Sequence, residues 1–519
     1  MPSTARAALD RAGNVALRFL TSPGGFYAFL GLALLVQLTL RASLFAGTGG
    51  DDAEQLIFSQ SWEWGYGFGN PPLYTWLMIP VQAAIGPTVL SVTLVKFACL
   101  AATYLGLYRA GLLSLLTPPL ARLAALGAFL IYYIAWDSVL GYSHSILLMA
   151  LCVATYVVIL ELRRDGSLFL YAALGLLLGC GLLAKYGYGL YALALALASL
   201  PDRDLRARLF SPRMLLSLLL AVLVFLPHGL WILDHLRGIE SVAIDRFAAD
   251  GATNPLAVAW AGTASALGAA ISFSMPLAAI LILLFPRAFL RLGPRGAESA
   301  ACRRLLTRFF LWLMAIVILS TVLSGAENVR THYMFVLTLL PVYCFLRIQA
   351  ADEPASWPFS TYAATVMGAV ALVTLGIVAK YPFDPHWFQK PYFSIPYGRL
   401  ADAVREAGFR TGTIYGQWYP YALAGNLRPY FPDSRLIDLK HLNYEPPPRT
   451  APGQCLFVWN PRPDGSMDVG MTSFVQAIGG LPEEDLPTIH RIDLPLAAAP
   501  DKPVAFAYVL YPHGLGDCH

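Results

Sequence analysis

Charge is scarce in this sequence: only 13% of its 519 residues are Asp, Glu, Lys or Arg, against 57% hydrophobic residues. Soluble domains carry about 25% charged residues, so the deficit excludes an ordinary soluble protein and points to a membrane chain. The net charge of +4 is spread along the sequence without a massed basic face, which excludes nucleic acid as the main partner. No C-x-x-C pair occurs among the seven cysteines, so neither a zinc ribbon nor a dithiol redox motif is present. Four of them (Cys99, Cys152, Cys180, Cys344) sit in apolar runs and read as small hydrophobes. Internal repeats, low-complexity tracts and long linkers are also missing. Residues 1–18 are polar and basic, and no A-x-A-like site follows the first apolar run. That run is therefore expected to be a retained span rather than a cleaved signal peptide.

What the chain does have is apolar runs of membrane length, roughly 20 residues each. Eleven candidate spans are expected at 25–46, 88–108, 119–135, 143–161, 168–184, 187–200, 214–233, 257–285, 309–323, 332–348 and 359–379. Basic residues between spans mark the cytoplasmic side. With the N-terminus inside, seventeen arginines fall in inner segments and four Lys or Arg (Lys185, Arg237, Arg246, Arg330) in outer ones before the tail. The fold class expected is an all-α polytopic membrane protein with a small C-terminal α/β domain outside. The transmembrane part is 1–379, its first outer loop 47–87, and the outer domain 380–519. Strand-like runs "GTIYG", "SRLIDL", "CLFVWN" and "VAFAYVLYP" alternate in that tail with helix-like "YGRLADAVREAGF" and "TSFVQAIGG". Its two cysteines, Cys455 and Cys518, could pair in an oxidising compartment.

The sparse ionisable groups converge on the outer level. The loop "GTGGDDAEQL" offers Asp51, Asp52 and Glu54, and "AWDSVLGYSH" offers Asp137 and His144. The turn "LLAKYGYGL" offers Lys185, and "SGAENVRTHY" offers Glu327, Arg330, His332 and Tyr333. Carboxylates from one loop and cations from two others suit a reaction that deprotonates a hydroxyl and stabilises an anionic leaving group. Lys and Arg match a departing phosphate. Each group also has a plainer reading. The carboxylates could be solvated loop, Lys185 a snorkelling anchor, and His144 and His228 satisfied core histidines. Lys96 and Arg122 are expected to snorkel or pair within the bundle. The glycines of "WGYGFGN" lack the strand and helix of a phosphate loop and shape a turn instead. Trp62, Trp64, Tyr66, Phe68, Tyr74 and Trp76 read as an interfacial belt, or as a wall for a sugar or an isoprenoid chain.

The segments "DDAEQL", "NPPLYTWL" and "VRTHYMFVLTLLP" resemble the polyprenyl-phosphate-dependent glycosyltransferases of the GT-C fold. The resemblance is to the bacterial branch related to dolichyl-phosphate-mannose protein mannosyltransferases, lipid A aminoarabinose transferase and the rhizobial galacturonic acid transferases. It covers roughly residues 25–350 and implies a sugar on polyprenyl phosphate as donor, with a lipid, glycan or protein hydroxyl as acceptor at the periplasmic face of the bacterial inner membrane. It implies Asp51 as catalytic base with Asp52 beside it, Glu54 in support, and Asn70 and Tyr74 in the wall of the donor pocket. Asp137, Lys185, Arg330, His332 and Tyr333 complete the substrate contacts, with Lys185 and Arg330 on the phosphate. The sequence departs from the aminoarabinose enzymes, which have Arg at the position of Glu54 and Glu-Lys where Gly69 and Asn70 stand. One expected metal ligand is thereby lost, and a divalent metal ion is left open; no other cofactor is expected. A glycan polymerase or ligase with a diphosphate-linked donor, or a lipid-linked sugar flippase, are the alternatives.

Overall fold

The computed structural model describes residues 3–236, 254–290, 299–352, 355–387, 393–441, 443–449, 453–462, 472 and 488–511. Cys518, the "TSFVQAIGG" stretch beyond Thr472, and Arg237, Arg246, Arg291 and Arg295 of the charge count lie outside the described residues.

A helical bundle makes up most of the molecule. It begins with α1 (Ser3–Thr21) and α2 (Pro23–Leu44), the latter capped by the Ser22 side chain on the Gly25 amide with proline in its first turn. Then come α3 (Asp51–Phe58), α4 (Leu73–Ile85), α5 (Val89–Leu113), α6 (Pro118–Leu126), α7 (Ser138–Leu140), α8 (Ser143–Arg164), α9 (Leu168–Ala184), α10 (Tyr188–Ser199), α11 (Arg203–Leu209) and α12 (Met214–Asp234). Further on lie Pro255–Ser274, Leu277–Leu284, Ala300–Ser324, Leu340–Ala351 and Trp357–Trp387. Among the described residues seven helices are long and apolar enough to cross a membrane, and the bent pair Thr331–Leu337 with Leu340–Ala351 makes an eighth. Shorter apolar helices stand at three more of the eleven expected positions: Pro118–Leu130, Leu168–Ala184 and Tyr188–Ser199. On α12, Leu215, Leu219, Val222, Leu223, Leu226, Leu230 and Leu233 are exposed, an apolar face that only lipid satisfies. The protein is a multi-pass membrane protein.

Three expectations need correction. The segment 47–87 is not a loop, since it holds the two helices α3 and α4. The span expected at 257–285 is broken, its helix ending at Ser274 and resuming at Leu277 after Pro276, where proline lacks the N–H to continue the ladder. The span expected at 332–348 bends by 50° next to Pro341.

The chain closes with a five-stranded sheet of β1 (Gly412–Gly416), β2 (Arg435–Asp438), β3 (Gln454–Trp459), β4 (His490–Leu496) and β5 (Ala499–Tyr511), in the order β2-β1-β3-β5-β4. β1 runs parallel to β2 and β3, and β5 antiparallel to β3 and β4. Tyr397–Glu406 packs on it and buries Tyr397, Leu400, Ala401 and Val404. This is the α/β domain expected in the tail. Cys455 in β3 is buried and disulfide-bonded.

One core does not respect the division at residue 380. Ala53, Ile57 and Phe58 of α3, with Tyr66, pack in the same apolar cluster as Leu400, Leu423, Leu436 and Phe506 of the sheet domain. Gly425 permits this approach, because a Cβ there would meet the Ala53 carbonyl at 2.7 Å. Asn426 donates to the Thr48 carbonyl at 2.9 Å and accepts from the Thr48 amide at 2.8 Å. The Gln60 side chain pairs with both the amide and the carbonyl of Leu436 in β2 (2.8 and 3.0 Å). The first inter-span segment is thus seated on the C-terminal domain.

Candidate active site

Residue Gly50, at φ 51, turns the chain into α3, whose first turn carries Asp51, Asp52 and Glu54. Three carboxylates at a helix N-terminus are favoured by the exposed amides and the helix dipole, which answers why acidic residues begin an otherwise buried helix. The three then point to different partners.

Asp52 turns into the bundle. Its Oδ2 accepts from Lys96 Nζ of α5 at 2.6 Å and its Oδ1 from Ser143 Oγ of α8 at 2.6 Å, all buried. Both oxygens are engaged within the protein, so the pairing expected for Lys96 is made with Asp52 itself. Arg122, by contrast, donates to the Thr21 carbonyl and lies over the Tyr108 ring.

Glu54 turns to the C-terminal domain. Its Oε1 accepts from Lys440 Nζ at 2.8 Å and lies 3.1 Å from His441 Nε2, while His441 Nδ1 lies 2.7 Å from Asp438 Oδ2. Burial alone would raise the Glu54 carboxyl, but the His441 hydrogen bond and the charges of His441 and Lys440 outweigh it and hold Glu54 well below the usual range. Burial likewise disfavours a charged His441, yet its bonds to Asp438 and Glu54 push the imidazole up to about 9.

Asp51 is left partly buried at the head of the helix. Burial, then the Glu54 charge, push it up to about 6, against the pull of Lys185. Lys185 follows α9; its ammonium donates to Ser145 Oγ at 2.6 Å and sits 5.6 Å from the centre of the Tyr333 ring. His332 stacks on Tyr142 at 4.9 Å and meets Tyr333 edge-on at 4.5 Å. Tyr142 occupies the left-handed region at φ 62, a conformation a non-glycine residue keeps only where its surroundings fix it. Its phenol is pushed up to about 12 by burial first, then by the charges of Asp137 and Asp51, with Arg330 opposing. Arg330 is exposed, and Asp137, hydrogen-bonded to Tyr132, is pushed up to about 6 by burial. One neighbourhood around Tyr142 therefore gathers Asp51, Asp137, Lys185, Arg330, His332 and Tyr333.

Tyr74 is buried beside His144 at 5.5 Å and feels the charges of Asp52 and Asp51. Asn70 is partly buried at the bend before Pro71 and makes no side-chain hydrogen bond among the described residues. The two histidines read as structural are bonded within the protein: His144 to Gln55 at 3.2 Å, and His228 to the Trp64 carbonyl at 2.7 Å and the Tyr186 hydroxyl at 3.1 Å. Of the aromatic row, Trp62 and Trp64 are exposed whereas Tyr66 and Tyr74 are fully buried.

Tyr142, Ser143 and Ser145 went unnoticed in the sequence, as did Asp438, Lys440 and His441. A signal existed for the last three. Asp438 ends "SRLID" and Lys440 and His441 follow it, and the carboxyl ends of parallel strands are where open α/β sheets place polar contacts. Among the described residues no group of three His, Cys, Asp or Glu side chains is arranged to hold a metal. Glu54 is committed to Lys440 and His441, so the described residues do not form a ligand set, and no step below passes through a metal.

Comparison with known proteins fits this architecture. Residues 69–231 match the family model of the dolichyl-phosphate-mannose-protein mannosyltransferases, a stretch that starts beyond the Asp51 cluster. The lipopolysaccharide core galacturonosyltransferase RgtB of Rhizobium johnstonii is 27% identical over 90% of this chain and 93% of its own. RgtA of the same organism is 26% identical over 79% of this chain and 80% of its own. Among solved structures, ArnT from Cupriavidus metallidurans bound to undecaprenyl phosphate aligns with a TM-score of 0.60 at 14% identity, covering 94% of this chain and 98% of that one. Its apo form aligns at 0.58 and 13% identity over the same shares. A long helical bundle joined to a small sheet domain, carboxylates at its first inter-span helix and this set of relatives converge: the chain is a membrane glycosyltransferase of the GT-C fold, similar to the bacterial branch related to the dolichyl-phosphate-mannose protein mannosyltransferases.

Proposed function

We propose that this enzyme moves a sugar from polyprenyl monophosphate to a hydroxyl of lipopolysaccharide core or lipid A, with inversion at the anomeric carbon. The observation that carries the reading is the pairing of Asp51 with Lys185 in one neighbourhood. A carboxylate raised to about 6 by burial is a base strong enough to take a hydroxyl proton, yet still ionised at neutral pH. An ammonium tethered by Ser145 and Tyr333 is placed for a phosphate leaving group. In the step, the acceptor oxygen bonds to C1 as its proton passes to Asp51. The C1–O bond to phosphate breaks, and the polyprenyl phosphate departs with the electron pair, met by Lys185 and Arg330. Asp52 and Glu54 serve as anchors of α3, and Asp137 and His332 line the acceptor side.

The site faces the periplasm of the inner membrane in this reading. Support comes from charge. Asp52 bonds Lys96 near the start of α5 and Ser143 at the start of α8. Arg109, Arg163 and Arg164, near the other ends of those helices, lie roughly 20–30 Å away at 1.5 Å per residue. The basic residues thus collect at the end remote from the site, as cytoplasmic ends do. The galacturonosyltransferase relatives make galacturonic acid the sugar of choice.

The test is transfer of labelled sugar by purified protein in proteoliposomes. Galacturonosyl polyprenyl phosphate should serve and its galactosyl counterpart should serve poorly; transfer only from diphosphate-linked donors, or lipid movement without transfer, overturns the proposal. Since Asp51 must be unprotonated, kcat/KM is expected to fall as pH drops through about 6. Lys185→Met should lower kcat/KM by about 10²-fold, the order lost with one charge-assisted transition-state contact, and Lys185→Arg should recover part of it. A flat pH profile between 5 and 8 would remove Asp51 from the role of base.

A further inference from the structure

The chain Asp438–His441–Glu54–Lys440 crosses the boundary between the sheet domain and α3, and nothing in the transfer step above uses it. It is a costly way to glue two surfaces. Taking charges out of water is repaid only by good geometry, and apolar residues of similar size often do as well. Apolar and neutral contacts already join these surfaces through Ala53, Ile57, Gly425, Asn426 and Gln60.

The geometry is tightly specified. Asp438 ends β2, and its Oδ1 accepts the backbone amides of Lys440 (2.7 Å) and His441 (3.1 Å), fixing the turn that carries both cations. The His441 ring is held edge-on by Phe58 and Trp418, each at 4.9 Å, and the Lys440 ammonium lies 4.4 Å from the Trp418 ring centre. Both cations then meet one atom, Oε1 of Glu54. Glu54 is three residues after Asp51 on α3, so the two side chains are helical neighbours. The groups acting on Asp51 are Glu54 and Asp52 from its own helix, Lys185 from the turn after α9, and Lys96 from α5. Tyr142, before α8, and Tyr74, on α4, feel it in turn. Facing His441 are Asp438 and Lys440 from its own turn and Glu54 from α3.

We propose that Asp438, Lys440 and His441 of the C-terminal domain are positioning residues of the transfer reaction, acting through Glu54 on the charge around Asp51. The proposal rests on Asp51 being the base. The domain outside the bundle then does more than cover the site, since its docking sets how readily the base takes a proton. Undocking would leave Glu54 uncompensated beside Asp51.

The test is the acid limb of kcat/KM against pH, measured on the full-length protein in proteoliposomes. Glu54→Gln removes a negative neighbour and should move the limb about one pH unit toward acid. His441→Gln removes a positive charge and should move it toward alkaline by a similar amount, with Lys440→Met in the same direction. Asn426→Ala removes a neutral contact of the same interface while the charged contacts keep the domain docked, and should leave the limb in place, whatever it does to kcat. Purely structural residues cannot give shifts of opposite sign, and unmoved limbs in the folded members of the set overturn the proposal. Should Glu54→Gln fail to fold, Lys440→Met carries the test. If Asp51→Asn keeps wild-type turnover, the parent reading has failed; if Asp51→Asn is inactive while the limbs stay fixed, only the present proposal has failed.

Discussion

Asp51→Asn is expected to lower turnover by about 10²- to 10⁴-fold, the range that a positioned general base contributes, while leaving the protein folded. The substitution keeps the shape of the side chain at the head of α3. Burial disfavours a charged Asp51, so a neutral amide there relieves a cost, and only a modest helix-dipole contribution is lost. The thermal midpoint of the variant should therefore equal or exceed that of the wild type. The KM for the donor should change little, because the phosphate is assigned to Lys185 and Arg330. Single-turnover transfer alongside a thermal melt separates these quantities. A variant that turns over at the wild-type rate, or one that is inactive only because it unfolds, contradicts the assignment. Asp52→Asn gives the contrasting result: it breaks a buried ion pair, so its loss should appear in stability before it appears in the acid limb of the pH profile.

Sequence pattern and physical role match unevenly across the molecule. The eleven apolar runs are each occupied by helices because a span announces itself over some 20 residues, and the four quoted strand-like runs of the tail are the strands β1, β2, β3 and β5. Helix α3 was hidden because eight residues are too few to show a 3.6-residue period, and its carboxylates and flanking glycines read as loop. Its helical state comes from tertiary packing of Ala53, Ile57 and Phe58 on the sheet domain, in line with short helices being marginal alone. The separate fates of Asp51, Asp52 and Glu54 were also beyond the sequence. Adjacent residues on a helix point about 100° apart, and their partners lie far along the chain: Lys96 is 44 positions from Asp52, Lys440 386 from Glu54. A lysine within a span does say that it needs a partner, but not which one. His441 lay in a tail whose likeness to the family was one of position alone, so no motif marked it.

Lys96→Met should destabilise the protein by about 3–5 kcal/mol, the cost of leaving one member of a buried ion pair without the other. Lys96 and Asp52 are both about 1% exposed, so water cannot take over the contact. The remaining bond from Ser143 satisfies one oxygen without supplying charge. Asp52 must then gain a proton or draw water into the bundle, and either outcome loosens the joint where α3, α5 and α8 meet. That joint holds the helix carrying Asp51, so activity should fall even at temperatures where the variant stays folded. Pairing Lys96→Met with Asp52→Asn removes both charges and should recover most of the lost stability, giving a large favourable interaction term in a double-mutant cycle. Detergent-solubilised melts of the four proteins measure it. Additive losses would mean that the two side chains act independently, and the anchoring of α3 would then have to rest on its contacts with the sheet domain alone.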